Sequence, residues 1–298
     1  MSNATDDRKR KDLERDFHNK TFAHSLRDDA QRFYSVMKPT NEYFEGQLKS
    51  LAQGKTVLEY GCGPGTHSFR LAAVAERVVG IDISDVAISQ ARERAKAKGI
   101  ENTEFHVMDA ERLTFPDSTF DLVCGRAIVH HLDVQRCFEN VSRVLKPGGS
   151  ALFHEPLGYN PLINLYRKLT PKMRTGSEHP LLRKDLAMAR DYFSRVELHP
   201  FVLTALGAVP FRDTALFKPL LGTLTALDSL LFRIPLVTLL AWTSIWILQD
   251  PKKRPSRDDS RLGRRGAWIT APPLTSRLTP TDCVSRMSSL TVPVIEDC

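Results

Sequence analysis

Cysteine is scarce and poorly spaced for cross-linking. The five thiols, Cys62, Cys124, Cys137, Cys283 and Cys298, include no CxxC pair and no zinc-type spacing. An odd, scattered set fits a reducing compartment better than a disulfide framework. A bilayer-spanning run is also missing. The most apolar stretch, "IPLVTLLAWTSIWIL" (234–248), is 15 residues long with Pro235 near its start, short of the ~18–20 that a span requires. Burial is expected there, with contact at a membrane surface as the alternative. The beginning, "MSNATDDRKRKDLERD", is polar throughout and has no signal-peptide pattern, so the cytoplasm is the expected location.

A basic face is lacking too, despite a net charge of +7. Residues 1–38 carry nine Lys/Arg against seven acids and residues 249–298 nine against six, which leaves an excess of only +2 for the whole middle of the chain. Charge excess at chain ends is ordinarily solvated, and nothing in the middle clusters as a nucleic-acid surface would. At 298 residues, 42% hydrophobic and 26% charged, the chain is long enough to bury one substantial core.

What is present is rhythm. Residues 7–37 read as helix, with Leu13, Phe17, Phe22, Leu26 and Phe33 at roughly helical intervals. A second helix restarts after Pro39. From Lys55 short apolar runs alternate with helical patterns: strands at 56–60, 77–82, 103–109, 120–125 and 150–156, then 195–203 and 241–248. Ser84 is placed to cap the helix that follows and Gly99 to end it. Strand–helix alternation argues for a parallel sheet covered on both faces. The fold class expected is α/β: a Rossmann-like, doubly wound, mostly parallel sheet, with N-terminal helices and a helical apolar insertion (about 204–240) before the last strand. The expected organisation is a helical cover at 1–48, a cofactor-binding core at 49–156, the rest of the fold with a substrate-covering insertion at 157–250, and a disordered tail at 251–298.

Chemistry concentrates in "TVLEYGCGPGTHSFRLA" (56–72), where Gly61, Gly63 and Gly65 follow a strand. Glycine lets a ligand approach the main chain, but no glycine stands three residues after Gly63, so the dinucleotide pattern fails. Glu59, two residues before the first glycine, would repel a pyrophosphate and suits a cofactor with positive charge.

With these residues in view, the region resembles the class I S-adenosylmethionine-dependent methyltransferases, of the small-molecule, methyltransferase type 11-like kind. "VLEYGCGPG" matches the family's first motif, "VVGIDIS" its second, "VMDAERL" its third, "FDLVCGRAIVHHL" its fourth strand and exit, and "VLKPGGSALFHEP" the turn into the fifth. The resemblance covers about residues 55–156. It implies S-adenosyl-L-methionine as cofactor, with Asp82 accepting from the ribose hydroxyls and Asp109 and Ala110 flanking the adenine. Glu59, Gly61, Gly63, Gly65, Ile83 and Arg126 complete the implied cofactor set. Capping of the next helix stays open for Asp82, and a plain turn role for Asp109.

Methyl transfer from a sulfonium needs alignment of donor and acceptor, and a base only where the acceptor must lose a proton. Candidates at the sheet's carboxyl ends are Arg126, His130 and His131 after the fourth strand, and His154 and Glu155 after the fifth, with Glu155 expected to touch substrate. The histidine pair could instead serve helix entry. No acid–amide magnesium set follows the fourth and fifth strands, so no metal is expected. Phe17, Phe22, Phe33, Tyr34, Tyr43 and Phe44, with the Leu-rich 216–240, suggest an apolar cover and hence an apolar small-molecule acceptor in specialised-metabolite biosynthesis. Simple packing of the cover is the alternative for those residues. A protein or RNA methyltransferase and a non-catalytic cofactor-binding protein are the alternative functions.

Overall fold

The computed structural model describes residues 2–24, 34–170 and 178–252. Phe22, Leu26, Phe33 and nearly all of the expected tail fall on segments whose placement or side chains lie outside the described residues. Seven strands build one sheet: β1 (Thr56–Tyr60), β2 (Arg77–Asp82), β3 (Thr103–Val107), β4 (Phe120–Arg126), β5 (Leu145–Pro156), β6 (Phe193–Phe201) and β7 (Thr243–Pro251). Their order is β3-β2-β1-β4-β5-β7-β6. The first five run parallel, and β7 is antiparallel to both β5 and β6. The fold is therefore Rossmann-like and mostly parallel, as the alternating pattern implies.

Strand residues alternate faces, and the pairs Val57/Leu58, Val78/Val79, Leu122/Val123, Leu152/Phe153 and Trp246/Ile247 are all buried, one member in each of two separate cores. Such two-sided apolarity requires helices on both faces. Helix α2 (Lys38–Ala52) and α3 (Thr66–Ala72) cover one face through Phe44, Leu48 and Leu71. Helix α5 (Val134–Val144) covers the other through Cys137, Phe138 and Val141. Between them in sequence, α4 (Asp85–Lys98) buries Ile88, Ala91 and Ala95. The Ser84 hydroxyl accepts from the Ala87 N–H and Gly99 ends the helix at φ +64°, so both caps stand where the sequence placed them. Pro39 sits in the first turn of α2, where its missing N–H is harmless.

Besides shifted ends of β6 (195–203 expected) and β7 (241–248 expected), three details differ from expectation. Strand β5 begins at Leu145, not 150, because Leu145 already pairs with Phe120 before an irregularity in register takes up "KPGG". β3 stops at Val107, leaving Asp109 in a loop. The aromatic–leucine stripe of α1 (Ser2–His24) does not mark its inner face: Leu13 is 60% exposed, whereas Glu14 is buried.

After β5 come α6 (Pro161–Leu169) and α7 (Arg183–Tyr192). The insertion between β6 and β7 comprises a 3-10 segment (Thr204–Phe211), α8 (Phe217–Leu231) and the short α9 (Pro235–Thr238). It packs on its own cluster of Leu206, Ala208 and Leu221 with Val36, Met37 and Ile163. Val202, at the exit of β6, has φ +63°, a strained angle for a β-branched residue. Asp228 of α8 holds the chain there. Its buried carboxylate accepts the N–H groups of Leu203 (2.9 Å), Thr204 (2.6 Å) and Ala205 (3.3 Å). Asp228→Ala leaves those donors without the carboxylate and is expected to lower the unfolding free energy by about 2–3 kcal/mol. Urea denaturation would show it as a lower midpoint, and an unchanged midpoint would refute this anchoring role.

Candidate functional site

Strand order reverses direction between β1 and β4, the switch point where α/β sheets bind ligands beyond the strands' carboxyl ends. A cavity of ≈ 580 Å³ opens there. Its floor is the loop after β1. Gly61, Gly63 and Gly65 all have left-handed backbones, with φ of +62°, +52° and +81°. Gly61 and Gly63 line the cavity, whereas Gly65 does not; a Cβ at Gly65 would lie 2.8 Å from the Phe69 ring, which would have to shift.

Asp82 closes β2 and lines the cavity. Its two oxygens accept the Gly63 N–H and the Ser84 N–H, each at 2.9 Å, tying the glycine loop to the end of β2. Since Ser84 is the residue that caps α4, the capping alternative for Asp82 is set aside. Burial pushes the Asp82 carboxyl up, against the pull of the two N–H groups. Each oxygen keeps a lone pair for a further donor. Ile83, Asp109, Ala110 and Arg126 also line the cavity. Asp109 Oδ1 accepts the Glu111 N–H at 2.9 Å in a local turn, while Oδ2 accepts from Lys11 Nζ at 2.7 Å, so the turn alternative is part of its role. Arg126 donates to the Asn41 side chain, and burial lowers its pKa. Among the described residues it forms no ion pair.

Glu59 does not line the cavity. Its buried carboxylate accepts the Ser68 hydroxyl beneath the glycine loop. Burial raises its pKa to about 7, with the Ser68 bond opposing.

Glu155, expected to meet substrate, does not reach the cavity. It is fully buried, and Oε1 accepts the N–H groups of Ile128 and Val129, both at 2.9 Å. Oε2 pairs with His130 Nδ1 at 2.7 Å. Burial would raise its pKa, but His130 and the backbone donors together bring it down. Its work is to shape the exit of β4, where Ala127 takes φ +53° before the 3-10 turn Val129–His131. His130 is committed to the same bond and is also off the cavity. His154 is buried, and burial followed by the Arg126 charge lowers its pKa to about 3. Of the β4 and β5 candidates, Arg126 and His131 line the cavity.

A roof from the N-terminal segment was expected, with Tyr34 in it, but its charged lining was not. Arg10, Lys11, Glu14 and His18 of α1 line the cavity, with Tyr34 beside them. Arg10 donates to Glu111 at 2.6 Å and Lys11 to Asp109 at 2.7 Å, while Arg136 reaches Asp7 at 3.2 Å. Burial favours a neutral Glu111, but the Asp133 N–H, Arg10 and Lys11 outweigh it and keep its pKa low. These four charged or titratable roof residues recur at helical spacing (10, 11, 14, 18), the one signal that could have marked the face. Neither the Leu-rich insertion nor Phe17 and Phe44 lines the cavity, so the apolar cover inferred from them is corrected to a largely charged one. Tyr43 is likewise off the cavity, packed on Phe201.

Sheet order, switch-point cavity and glycine loop define a nucleotide-type cofactor fold. Within it, residues 51–187 match the family model described as a methyltransferase domain. The match covers 137 of the 298 residues and identifies this stretch as a methyltransferase domain, similar to those of class I S-adenosylmethionine-dependent enzymes. Similar curated proteins include a ubiquinone biosynthesis O-methyltransferase of Coxiella burnetii, 34% identical over 123 residues, covering 39% of this chain and 52% of that protein. Another is the 27-O-demethylrifamycin SV methyltransferase of Amycolatopsis mediterranei, 36% identical over 102 residues, 33% of this chain and 38% of that one. The chain spans about half or less of the length of such relatives, 38% of one and 23% of another. A solved structure of Haemonchus contortus phosphoethanolamine N-methyltransferase 2 with S-adenosyl-L-methionine superposes with a TM-score of 0.54 at 16% identity, covering 79% of this chain and 60% of that one. That likeness is one of fold. No helix among the described residues is long and apolar enough to cross a membrane.

The raised Glu59 pKa has a measurable sign. The unfolded chain releases this proton near pH 4.5 and the folded chain only near 7, so the unfolded state binds fewer protons in between and stability falls as pH rises through that window. Glu59→Gln is expected to remove this part of the slope in urea denaturation of the ligand-free protein. Parallel pH profiles for the two proteins would contradict it.

Proposed function

We propose that the chain transfers a methyl group from S-adenosylmethionine to a small molecule that has an apolar body and a hydroxyl or amine as acceptor. The observation that carries this reading is one cavity lined by Asp82, by Gly61 and Gly63 of the glycine loop, and by His131. Bound there, the cofactor would supply a sulfonium-activated methyl group to the acceptor's heteroatom, with the thioether as leaving group and the acceptor's proton passing to water.

The residues fit that cofactor. Asp82, acceptor-only when ionised, is suited to two ribose hydroxyls, and its anchorage on Gly63 and Ser84 fixes its direction. The left-handed glycines admit a methionine moiety against bare backbone, and Arg126 is an unpaired cation among the described residues, suited to that moiety's carboxylate. Asp109, the Ala110 backbone and Ile83 would flank the adenosine. Glu59 acts at one remove, through Ser68 and the loop, as negative charge beneath the ammonium group. On the acceptor side, Met108, Ile128, Leu132 and Tyr34 supply apolar wall, and His131 the polar contact that orients the acceptor. Glu155 and His130 position His131 by fixing its turn.

An apolar-bodied acceptor with a hydroxyl is supported by relatives named for ubiquinone biosynthesis and for a demethylrifamycin. We therefore place the reaction in quinone or specialised-metabolite biosynthesis. The buried free thiols Cys62, Cys124 and Cys137 fit the cytoplasm as its setting.

Methyl-tritiated S-adenosylmethionine, incubated with the protein and extracts of its own cells, is expected to label the organic-soluble small-molecule fraction, with loss of label in Asp82→Ala. Label in protein or RNA would overturn the acceptor class. Asp82→Ala should weaken S-adenosylhomocysteine binding about 10–100-fold, as expected for two charge-assisted hydrogen bonds. His131→Ala should leave that affinity within about threefold while lowering turnover by about tenfold or more. Equal loss of affinity in both variants would refute the division of the cavity.

A further inference from the structure

We propose that Glu14, His18 and His131 form a binding site for a zinc-class divalent cation in the wall of the cavity. Glu14 and His18 stand four residues apart on α1 and so share a face. His131 comes from the turn after β4. The Glu14 carboxylate oxygen Oε2 lies 3.5 Å from His18 Nε2 and 3.4 Å from His131 Nδ1. One donor atom from each residue lies within 4.8 Å of the other two.

Those separations decide between two explanations. A nitrogen–oxygen hydrogen bond would draw the atoms to about 2.7–3.2 Å. A tetrahedral ion bonded at about 2.0–2.1 Å holds its ligands roughly 3.3 Å apart. The two separations from Glu14 Oε2 are wide for the first and close to the second, and the two imidazoles offer donors within 4.8 Å of each other. His131 Nδ1 is buried and makes no hydrogen bond. Its other ring nitrogen, Nε2, lies 4.0 Å from Glu178 Oε1, too far for a hydrogen bond.

The donor set selects the metal class. Two imidazoles and one carboxylate suit zinc and its neighbours, whereas magnesium and calcium prefer oxygen throughout. The local charge permits a cation: Arg10, which donates to the His131 carbonyl at 3.0 Å, is neutralised by Asp7 and Glu111, and Lys11 by Asp109 and Glu111. All three ligands line the cavity. The fourth coordination position therefore opens onto the space assigned to the acceptor, as in sites that bind a small ligand and unlike closed structural sites. The assignment of that position to the acceptor rests on the methyl-transfer reading. The ion site does not.

The test uses the full-length chain, stripped of metal by chelator dialysis. Zn²⁺ is titrated in competition with a chromophoric chelator, and Co²⁺ by its visible d–d absorption. One saturable equivalent with a tetrahedral-type cobalt band is expected. Affinity should fall more than about 100-fold in His18→Ala and in Glu14→Gln. Thermal melts and S-adenosylhomocysteine affinity measured on each variant show whether α1 and the cavity are still formed. Equal zinc affinity in wild type and folded variants, or no saturable binding, would overturn the site. Failure of the wild type to bind S-adenosylhomocysteine would sink the methyl-transfer reading and leave the zinc result standing.

Discussion

Helix α1 closes the cavity only because the Glu111 carboxylate stays ionised while its side chain is wholly out of solvent. It accepts the Asp133 N–H at 2.8 Å together with Arg10 at 2.6 Å and Lys11 at 3.0 Å. A buried anion is tolerable only when donors surround it, and here the donors come from α1 and from the start of α5, two elements that Arg136 and Asp7 tie a second time. Glu111 therefore fixes the start of α5 and the position of the roof. Asp82 does the corresponding work on the floor, using its carboxylate to bind the glycine loop to β2. Two acids, on consecutive strand exits, thus set the height of the cavity between them.

A third acid, Glu155, organises the wall. Three of its bonds go to the turn that presents His131, which is why the residue best placed in sequence to meet substrate is absent from the cavity altogether. The arrangement separates tasks by depth. Fully buried carboxylates hold backbone in unusual conformations such as that of Ala127, and the shallower Asp82, Arg126 and His131 face the ligand space.

How much of this was legible follows from the range of each interaction. Strands and helices were readable because alternation and helical spacing are local, and Ser84 and Gly99 announced both ends of α4. The glycine loop and Asp82 were readable because their chemistry sits in one short stretch. The inner face of α1 was not, since its partners lie about a hundred residues away and a charged face ordinarily signals solvent. Glu155 misled because its partners are backbone N–H groups, which carry no residue identity. The 204–240 insertion looked like a cover for an apolar ligand, yet its leucines pack on Val36, Met37 and Ile163 or face outward. Its organising residue, Asp228, is a lone acid in an apolar run.

A roof fastened by ion pairs behaves differently from one fastened by leucines. Contacts such as Arg136–Asp7 are partly exposed, with Arg136 about half open to water, and mobile ions weaken such pairs while leaving apolar packing intact or firmer. Salt is thus expected to loosen these exposed outer ties of α1, while the buried pairs of Glu111, which mobile ions screen far less, keep their hold.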